Sequence, residues 1–376
     1  MSVRYKNDFL FLTLKVFSAT GGIEKVCRVV GKVLYEFGVQ NNSLVQVYSM
    51  HGNKDAANNN NYFPAEIFRG FGGKKVKCII ASVREGCNSR VVMMSHINLL
   101  SIGWLIKKIN PTTRIILFAH GIEVWKPLNR FKRMMLKSCD EIIPVSKFTA
   151  DKIRELHQVP AAKIRVLNNC LDPFLPLPGN EHSTIDLRKR YGFSSTDKIL
   201  FTLTRLSAKE RYKGYDNVMR ALANLKEAYP SMRYLLAGSY DKEEKAYLDE
   251  IIEKLGLTSY VVMTGYVADE ELAAHFSMAD IYVMPSMKEG FGIVFIEAMY
   301  YGLPVIAGNR DGSVDALCNG DLGLLVDPAD INAIQTAIEK MLANKNAFAP
   351  SRELLLEQFS YDSYKFKLQN ILAQAV

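Results

Sequence analysis

Short apolar runs alternate along this chain with longer segments whose apolar residues recur at helical spacing. In the first half the runs Phe9–Val16, Ser43–Ser49, Val91–Ser95, Arg114–Ala119, Glu141–Val145 and Ile164–Leu167 read as strands. Most are continuous rather than alternating, which is expected where helices cover both faces of a sheet. The segment Gly22–Phe37 places Ile23, Val26, Cys27, Val30, Val33 and Leu34 on one stripe, the pattern of a helix packed on such a sheet.

The stretch from Asp172 to Asn180 holds Pro173, Pro176, Pro178 and Gly179 and reads as a linker that runs to about His182. The alternation then restarts with strands Ile199–Thr204, Arg233–Ala237, Val261–Thr264, Ile281–Met284 and Val305–Ala307. The predicted class is α/β, with two Rossmann-like, doubly wound parallel-sheet domains in series. They are expected over residues 1–180 and 181–358, followed by a C-terminal segment, 359–376. The segment His51–Asn61, with consecutive asparagines Asn58–Asn61, reads as a mobile loop.

Composition narrows the class of protein. Of 376 residues, 48% are hydrophobic and 23% charged, which excludes a disordered or collagen-like chain and lets each domain bury a core. The longest apolar stretch, Val91–Ile106, is broken by His96 and Asn98, so no membrane span is expected. Phe9–Leu14 is too short for a signal-peptide core. Cys27, Cys78, Cys87, Cys139, Cys170 and Cys318 form no C-x-x-C pair, as expected of reduced thiols in a cytoplasm and not of a zinc site. The net charge of +8 is uneven: residues 1–180 carry 26 Lys/Arg against 12 Asp/Glu, and the remainder carry 21 against 27. Such asymmetry points to one basic surface.

Four stretches carry candidate chemistry. In Pro285–Gly308, a loop with Glu289, Gly290, Phe291 and Gly292 leads into a helix predicted from about Gly292 to Tyr301. Glycines at a helix start let an anion reach free backbone N–H groups at the positive end of the dipole. Glu289 before that point and Glu297 beyond it could each hold paired hydroxyls, the order sugar, diphosphate, ribose of a nucleotide sugar. A glycine-rich turn with two solvated glutamates fits the same pattern. In Thr204–Gly214, Arg205 follows a strand and Lys213 precedes a helix predicted over Gly214–Tyr229, so two cations could meet a diphosphate at the carboxyl edge of a sheet. A solvated basic loop, with Lys209 and Arg211, is the alternative. In Phe118–Trp125, His120 ends a strand and is placed to exchange protons, or to serve as a hydrogen-bonded structural histidine. The glycine pair in Thr20–Glu24 permits close approach of a ligand to the backbone.

The chain resembles the GT-B glycosyltransferases of family 4 over nearly its whole length. The resemblance rests on GGIE (Gly21–Glu24), AHGIEVW (Ala119–Trp125), VSKFTADKI (Val145–Ile153), RVLNNCLD (Arg165–Asp172), the Arg205…Lys213-Gly214 pair, LLAGSYD (Leu235–Asp241), TGYV (Thr264–Val267) and Ala279–Gly308. Glu289 followed eight positions later by Glu297 matches that family's signature. There are two departures. The Arg205–Lys213 spacing is long, so Lys213 rather than Lys209 is assigned from the following Gly214. The usual Gly-Gly-x-Pro-Glu is replaced by Asn309-Arg310-Asp311-Gly312-Ser313.

The resemblance implies two domains facing a central cleft, with the C-terminal helical segment Tyr361–Ala375 crossing back to the first. It implies sugar transfer, with retention of configuration, from a UDP- or GDP-linked donor to a glycan or lipid-linked acceptor in bacterial cell-surface polysaccharide or glycolipid synthesis. It places Gly22 near the donor phosphates, Arg205 and Lys213 on the diphosphate and Glu297 on the ribose. Glu289 and His120 fall to the donor sugar, Phe291, Gly292 and Ile293 present backbone to sugar and phosphate, and Tyr266 and Val267 border the base.

No H-E-x-x-H, Walker or D-x-D pattern stands in a suitable context, so neither a cofactor nor a catalytic metal is expected. The alternatives within the fold are a nucleotide-sugar epimerase or a phosphorylase. A non-catalytic nucleic-acid-binding protein would suit the basic half, but no nucleic-acid module is recognisable. Clusters at Lys74, Lys75 and Lys77, at Lys107 and Lys108, and at Arg130, Lys132, Arg133 and Lys137 suit an anionic inner leaflet. In Arg130–Ser138 the cations stand beside Phe131, Met134, Met135 and Leu136, as in an interfacial helix. A cytoplasmic chain in peripheral membrane contact is expected; the alternative is a soluble basic domain with a neutral acceptor.

Overall fold

A computed structural model describes residues 7–18, 21–178 and 181–374. The chain divides into two compact units, residues 1–174 with 360–376, and residues 175–359.

The first unit is built on a six-stranded parallel sheet: β1 (Asn7–Thr13), β2 (Val45–Ser49), β3 (Phe68–Gly70), β4 (Ser89–Met94), β5 (Arg114–Ala119) and β6 (Glu141–Pro144). Its order is β3-β2-β1-β4-β5-β6. Central β1 aligns Phe9 with Val45 on one side and with Val91 on the other. These residues are buried because helices cover both faces, which is why the strands read as unbroken apolar runs. The helix Gly22–Asn41 follows β1, and the C-terminal helix Tyr361–Ala373 belongs to this unit. Lys365 pairs with Glu36 at 2.6 Å and the Tyr361 hydroxyl donates to the same carboxylate at 3.0 Å.

The second unit repeats the plan with β7 (Lys198–Leu203), β8 (Met232–Ala237), β9 (Val261–Gly265), β10 (Ile281–Met284), β11 (Val305–Gly308) and β12 (Leu324–Val326), in the order β12-β11-β10-β7-β8-β9. Both sheets therefore change direction of winding once, between β1 and β4 and between β7 and β10. Ligands of such folds sit outside the carboxyl ends of the strands at that switch.

One sequence expectation is corrected, and the structure adds features that the pattern did not carry. Ile164–Leu167 is not a strand: Ile164 makes a lone bridge to Ile142 beside β6. The edge strands β3 and β12, three residues each, are too short for periodicity to reveal. The asparagine-rich loop is folded on itself, with Asn60 Nδ2 donating to the Phe63 carbonyl at 2.9 Å and Asn60 Oδ1 accepting from the Tyr62 N–H at 2.8 Å.

Candidate active site

In the second unit the switch places two loops side by side. The loop after β7 carries Arg205 and ends in the turn Arg211–Lys213, and the loop after β10 carries Glu289 to Gly292. Gly214 closes the turn at φ +77°, where a Cβ would lie 2.3 Å from the Pro285 carbonyl oxygen. Only glycine permits that approach, and the Met287 N–H donating to the Tyr212 carbonyl at 2.8 Å fastens it. The result is a contact between Lys213 Nζ and Glu289 Oε2. The two side chains are 14% and 18% exposed, so neither is an ordinary solvated charge. Burial alone would push the Lys213 ammonium down, but the Glu289 carboxylate outweighs it and holds Lys213 above its ordinary value.

Arg205 lies differently. Its guanidinium is 71% exposed and rests on the Glu210 carboxylate. Lys209 is exposed as well. Of the basic loop, Lys213 is the cation drawn against Glu289.

The helix Ile293–Tyr300 begins at Gly292, which sits at φ +88° and offers no side chain to cap it. The first N–H groups of such a helix are available to an anion. Phe291 is buried against Phe359 with ring centroids 5.5 Å apart, so it presents backbone only. Glu297, on the second turn, is 2% exposed. A pair of solvated glutamates therefore does not describe this loop. Tyr266 and Val267 follow β9 at the same carboxyl edge of the sheet, Tyr266 exposed and Val267 buried.

Sequence reasoning missed Asp311 as a site residue. It is buried, its Oδ2 accepts the Glu289 N–H at 2.6 Å, and its Oδ1 accepts the Ser313 N–H at 2.9 Å. The departure at residues 309–313 from the family's glycine-rich pattern was the available signal.

The first unit holds a second cluster at the carboxyl edge of its own sheet. Gly22 opens the helix after β1, and a Cβ there would meet nothing within 4 Å. His120 follows β5, with Nε2 2.8 Å from the Ser95 carbonyl oxygen, and its N–H donates to Glu123 Oε1. Burial pushes the His120 imidazole down, opposed by Glu123 and Glu24. A neutral ring donating Nε2–H to Ser95 leaves Nδ1 as an acceptor. His96, just past β4, is likewise pushed down by burial against the pull of Glu123. His96 and Glu123 were not singled out as site residues from sequence, although Glu123 stands within AHGIEVW, three positions after His120. The structure thus gathers Lys213, Glu289 and Gly292 in one unit and places Gly22 after β1 and His120 after β5 at the carboxyl edge of the other sheet.

Comparisons with known proteins agree with this layout. The model "Glycosyl transferases group 1" matches residues 183–359, and "Glycosyltransferase Family 4" matches residues 20–173. A GDP-mannose-dependent α-(1-6)-phosphatidylinositol monomannoside mannosyltransferase of Mycolicibacterium smegmatis is 31% identical over 244 residues, 61% of either chain. A D-inositol 3-phosphate glycosyltransferase of Corynebacterium urealyticum is 28% identical over 250 residues, 65% of this chain and 57% of that one. The matched region thus spans about three fifths of these relatives. Among solved structures, Anabaena HepE in complex with UDP superposes with a TM-score of 0.81 at 18% identity, covering 98% of this chain and 100% of that one. WaaG, a glycosyltransferase involved in lipopolysaccharide biosynthesis, gives 0.63 at 16% identity, covering 96% and 99%. At these identities the structural likeness speaks for the fold.

Proposed function

Because this chain belongs to the GT-B glycosyltransferases of family 4, we propose that it transfers a sugar, with retention, from a nucleotide sugar to a glycan or lipid-linked acceptor. The observation that carries this reading is the partly buried Lys213–Glu289 pair beside the uncapped start of the helix Ile293–Tyr300. A sequestered cation next to free helix N–H groups suits a diphosphate on which charge grows as the glycosidic bond breaks.

Arg205 and Lys213 neutralise that charge, Glu297 holds the ribose, Glu289 holds the donor sugar, and the Tyr266–Val267 backbone borders the base. By family likeness, Gly22 serves the phosphates and His120 the sugar. The acceptor oxygen bonds to the anomeric carbon on the face that the diphosphate leaves, and the acceptor proton passes to the departing phosphate oxygen. No metal or cofactor enters this scheme. Relatives are named for GDP-mannose and a neighbour holds UDP, so both bases are candidates.

The acceptor side is proposed to touch an anionic membrane. No described helix is long and apolar enough to span one, so the contact would be peripheral. Among the described residues, no carboxylate pairs with Arg69, Lys74, Lys75 or Lys77, whereas Lys107 and Arg114 in the same unit are paired with Asp140 and Glu141. Lys74, Lys75 and Lys77, with Arg69 stacked on the Tyr48 and Phe71 rings, border a groove of about 900 Å³ that Glu85 also lines, alongside the helix Lys75–Gly86, whose Val76 and Ile80 are exposed. Such a face suits anionic head groups.

The test is a thermal-shift panel of UDP, GDP and their sugars, with EDTA present, followed by transfer assays. A fitting donor at 100 times Kd stabilises by about 2.7 kcal/mol. Absence of a shift with every nucleotide overturns the reading. Sedimentation with anionic but not neutral vesicles, lost at high salt, is expected of the membrane contact, and no sedimentation at low salt refutes it.

A further inference from the structure

We propose that Asp311 is a positioning residue of the candidate active site, fixing the main chain of Glu289 and through it the contact between Glu289 and Lys213. The proposal rests on the donor-site reading above, and on the way residues 308–313 lie against residues 286–290.

Asp311 is 1% exposed, and each of its carboxylate oxygens accepts a backbone N–H: Oδ2 from Glu289 at 2.6 Å and Oδ1 from Ser313 at 2.9 Å. The Gly312 N–H returns a bond to the Glu289 carbonyl oxygen at 2.8 Å. Glu289 is thus held at both its N–H and its C=O by two consecutive residues. The approach requires glycine at 312, where a Cβ would lie 2.1 Å from the Gly290 carbonyl oxygen. The Glu289 N–H lies outside the helix that begins at Ile293, so the helix ladder gives it no partner. A buried carboxylate supplies that partner with a charge-assisted bond. Within the segment that departs from the family's glycine-rich pattern, this chain carries an acid that anchors the loop.

The chemistry separates the variants. In Asp311→Asn one amide oxygen can accept a single N–H, while the amide nitrogen meets the other as donor against donor. In Asp311→Ala both are lost. Asp327→Asn is the control: Asp327 pairs with Arg310 from a neighbouring loop and makes no contact with Glu289.

Hydrogen exchange on the full chain should show faster exchange in peptides spanning residues 285–295 for Asp311→Ala, an intermediate rate for Asp311→Asn and no change for Asp327→Asn. Misplacing a reacting group by about 1 Å costs up to ~10²-fold, so kcat for Asp311→Ala should fall by roughly 10–10²-fold. Affinity for the bare nucleoside diphosphate should stay within about threefold, the split expected when placement rather than ground-state binding is lost. Unchanged exchange at 285–295 overturns the proposal. So does faster exchange across the whole second unit with kcat and affinity falling together. If the wild type binds no nucleoside diphosphate, the donor-site reading has failed, and the exchange result still decides whether Asp311 holds Glu289.

Discussion

Replacing Lys213 by methionine keeps most of the side chain's length and apolar stem while deleting its charge. The partner Glu289 is 18% exposed, so it is left as a mostly buried carboxylate with its cation gone. Breaking a buried pair costs about 3–5 kcal/mol, and water at this partly open site argues for the lower end, about 3 kcal/mol. For a domain of this size each kcal/mol is ~2–4 °C of melting temperature, so the second unit should melt roughly 6–12 °C lower. The double variant Lys213→Met with Glu289→Gln removes both charges and should recover most of that loss, since the penalty lies in the orphaned carboxylate rather than in the absence of the pair. Turnover should behave differently. If Lys213 neutralises a leaving diphosphate, its removal costs on the order of 10²–10³ in rate, and the double variant restores none of it. Differential scanning calorimetry and initial transfer rates on the same preparations give both readouts. Turnover recovering together with stability in the double variant would show that the pair is structural. A Lys213→Met protein that melts early yet transfers normally would remove Lys213 from the diphosphate, and a dead Lys209→Ala protein would then name its replacement.

Titration with nucleoside diphosphate should separate the two glutamates: Glu297→Ala weakens binding of the bare diphosphate, whereas Glu289→Ala spares it and lowers turnover of intact donor; equal losses would reverse the assignment. The Glu210 carboxylate occupies Arg205 and competes with phosphate for it, so Glu210→Gln should tighten nucleoside diphosphate binding by about 2–5-fold, the scale of an exposed ion pair; weaker binding refutes the competition. Burial pushes the Asp311 carboxyl up to about 6, with the charge of Glu289 adding to it, above the ordinary value of about 3.9. The folded chain therefore holds an extra proton between these values, and this stabilisation, present at low pH, is lost as pH rises through about 6. The facing charges are Glu289 and, beyond it, Lys213. Denaturant titrations from pH 4 to 7 should show that downward slope in the wild type and a flatter one in Asp311→Asn; identical slopes would refute it.

The alternation of apolar runs with helical stripes was enough to read two parallel α/β sheets. The positions of Arg205, His120 and Glu289 just after strands were enough to place them at carboxyl edges, because local periodicity reports which way the backbone faces. Glycine at 292, before an apolar helix, likewise marked the helix start. Partnership between loops is another matter. Which cation of the 204–214 loop meets Glu289 depends on β7 lying beside β10, a pairing of strands some eighty residues apart, and on Gly214 passing under the Pro285 carbonyl. Sequence spacing assigned Lys213 only by likeness, and the contact itself belongs to the packed sheet. Asp311 is the clearest case. In the chain it stands among Asn309, Arg310 and Gly312 as one more polar loop residue, with nothing local to predict burial. It is buried because β11 lies next to β10, which sets the loop after one strand against the loop after the other and leaves the Glu289 N–H without another acceptor. The short edge strands β3 and β12 and the lone bridge at Ile164 were decided in the same way, by neighbours distant in sequence, since three residues carry too little pattern to declare a strand by themselves.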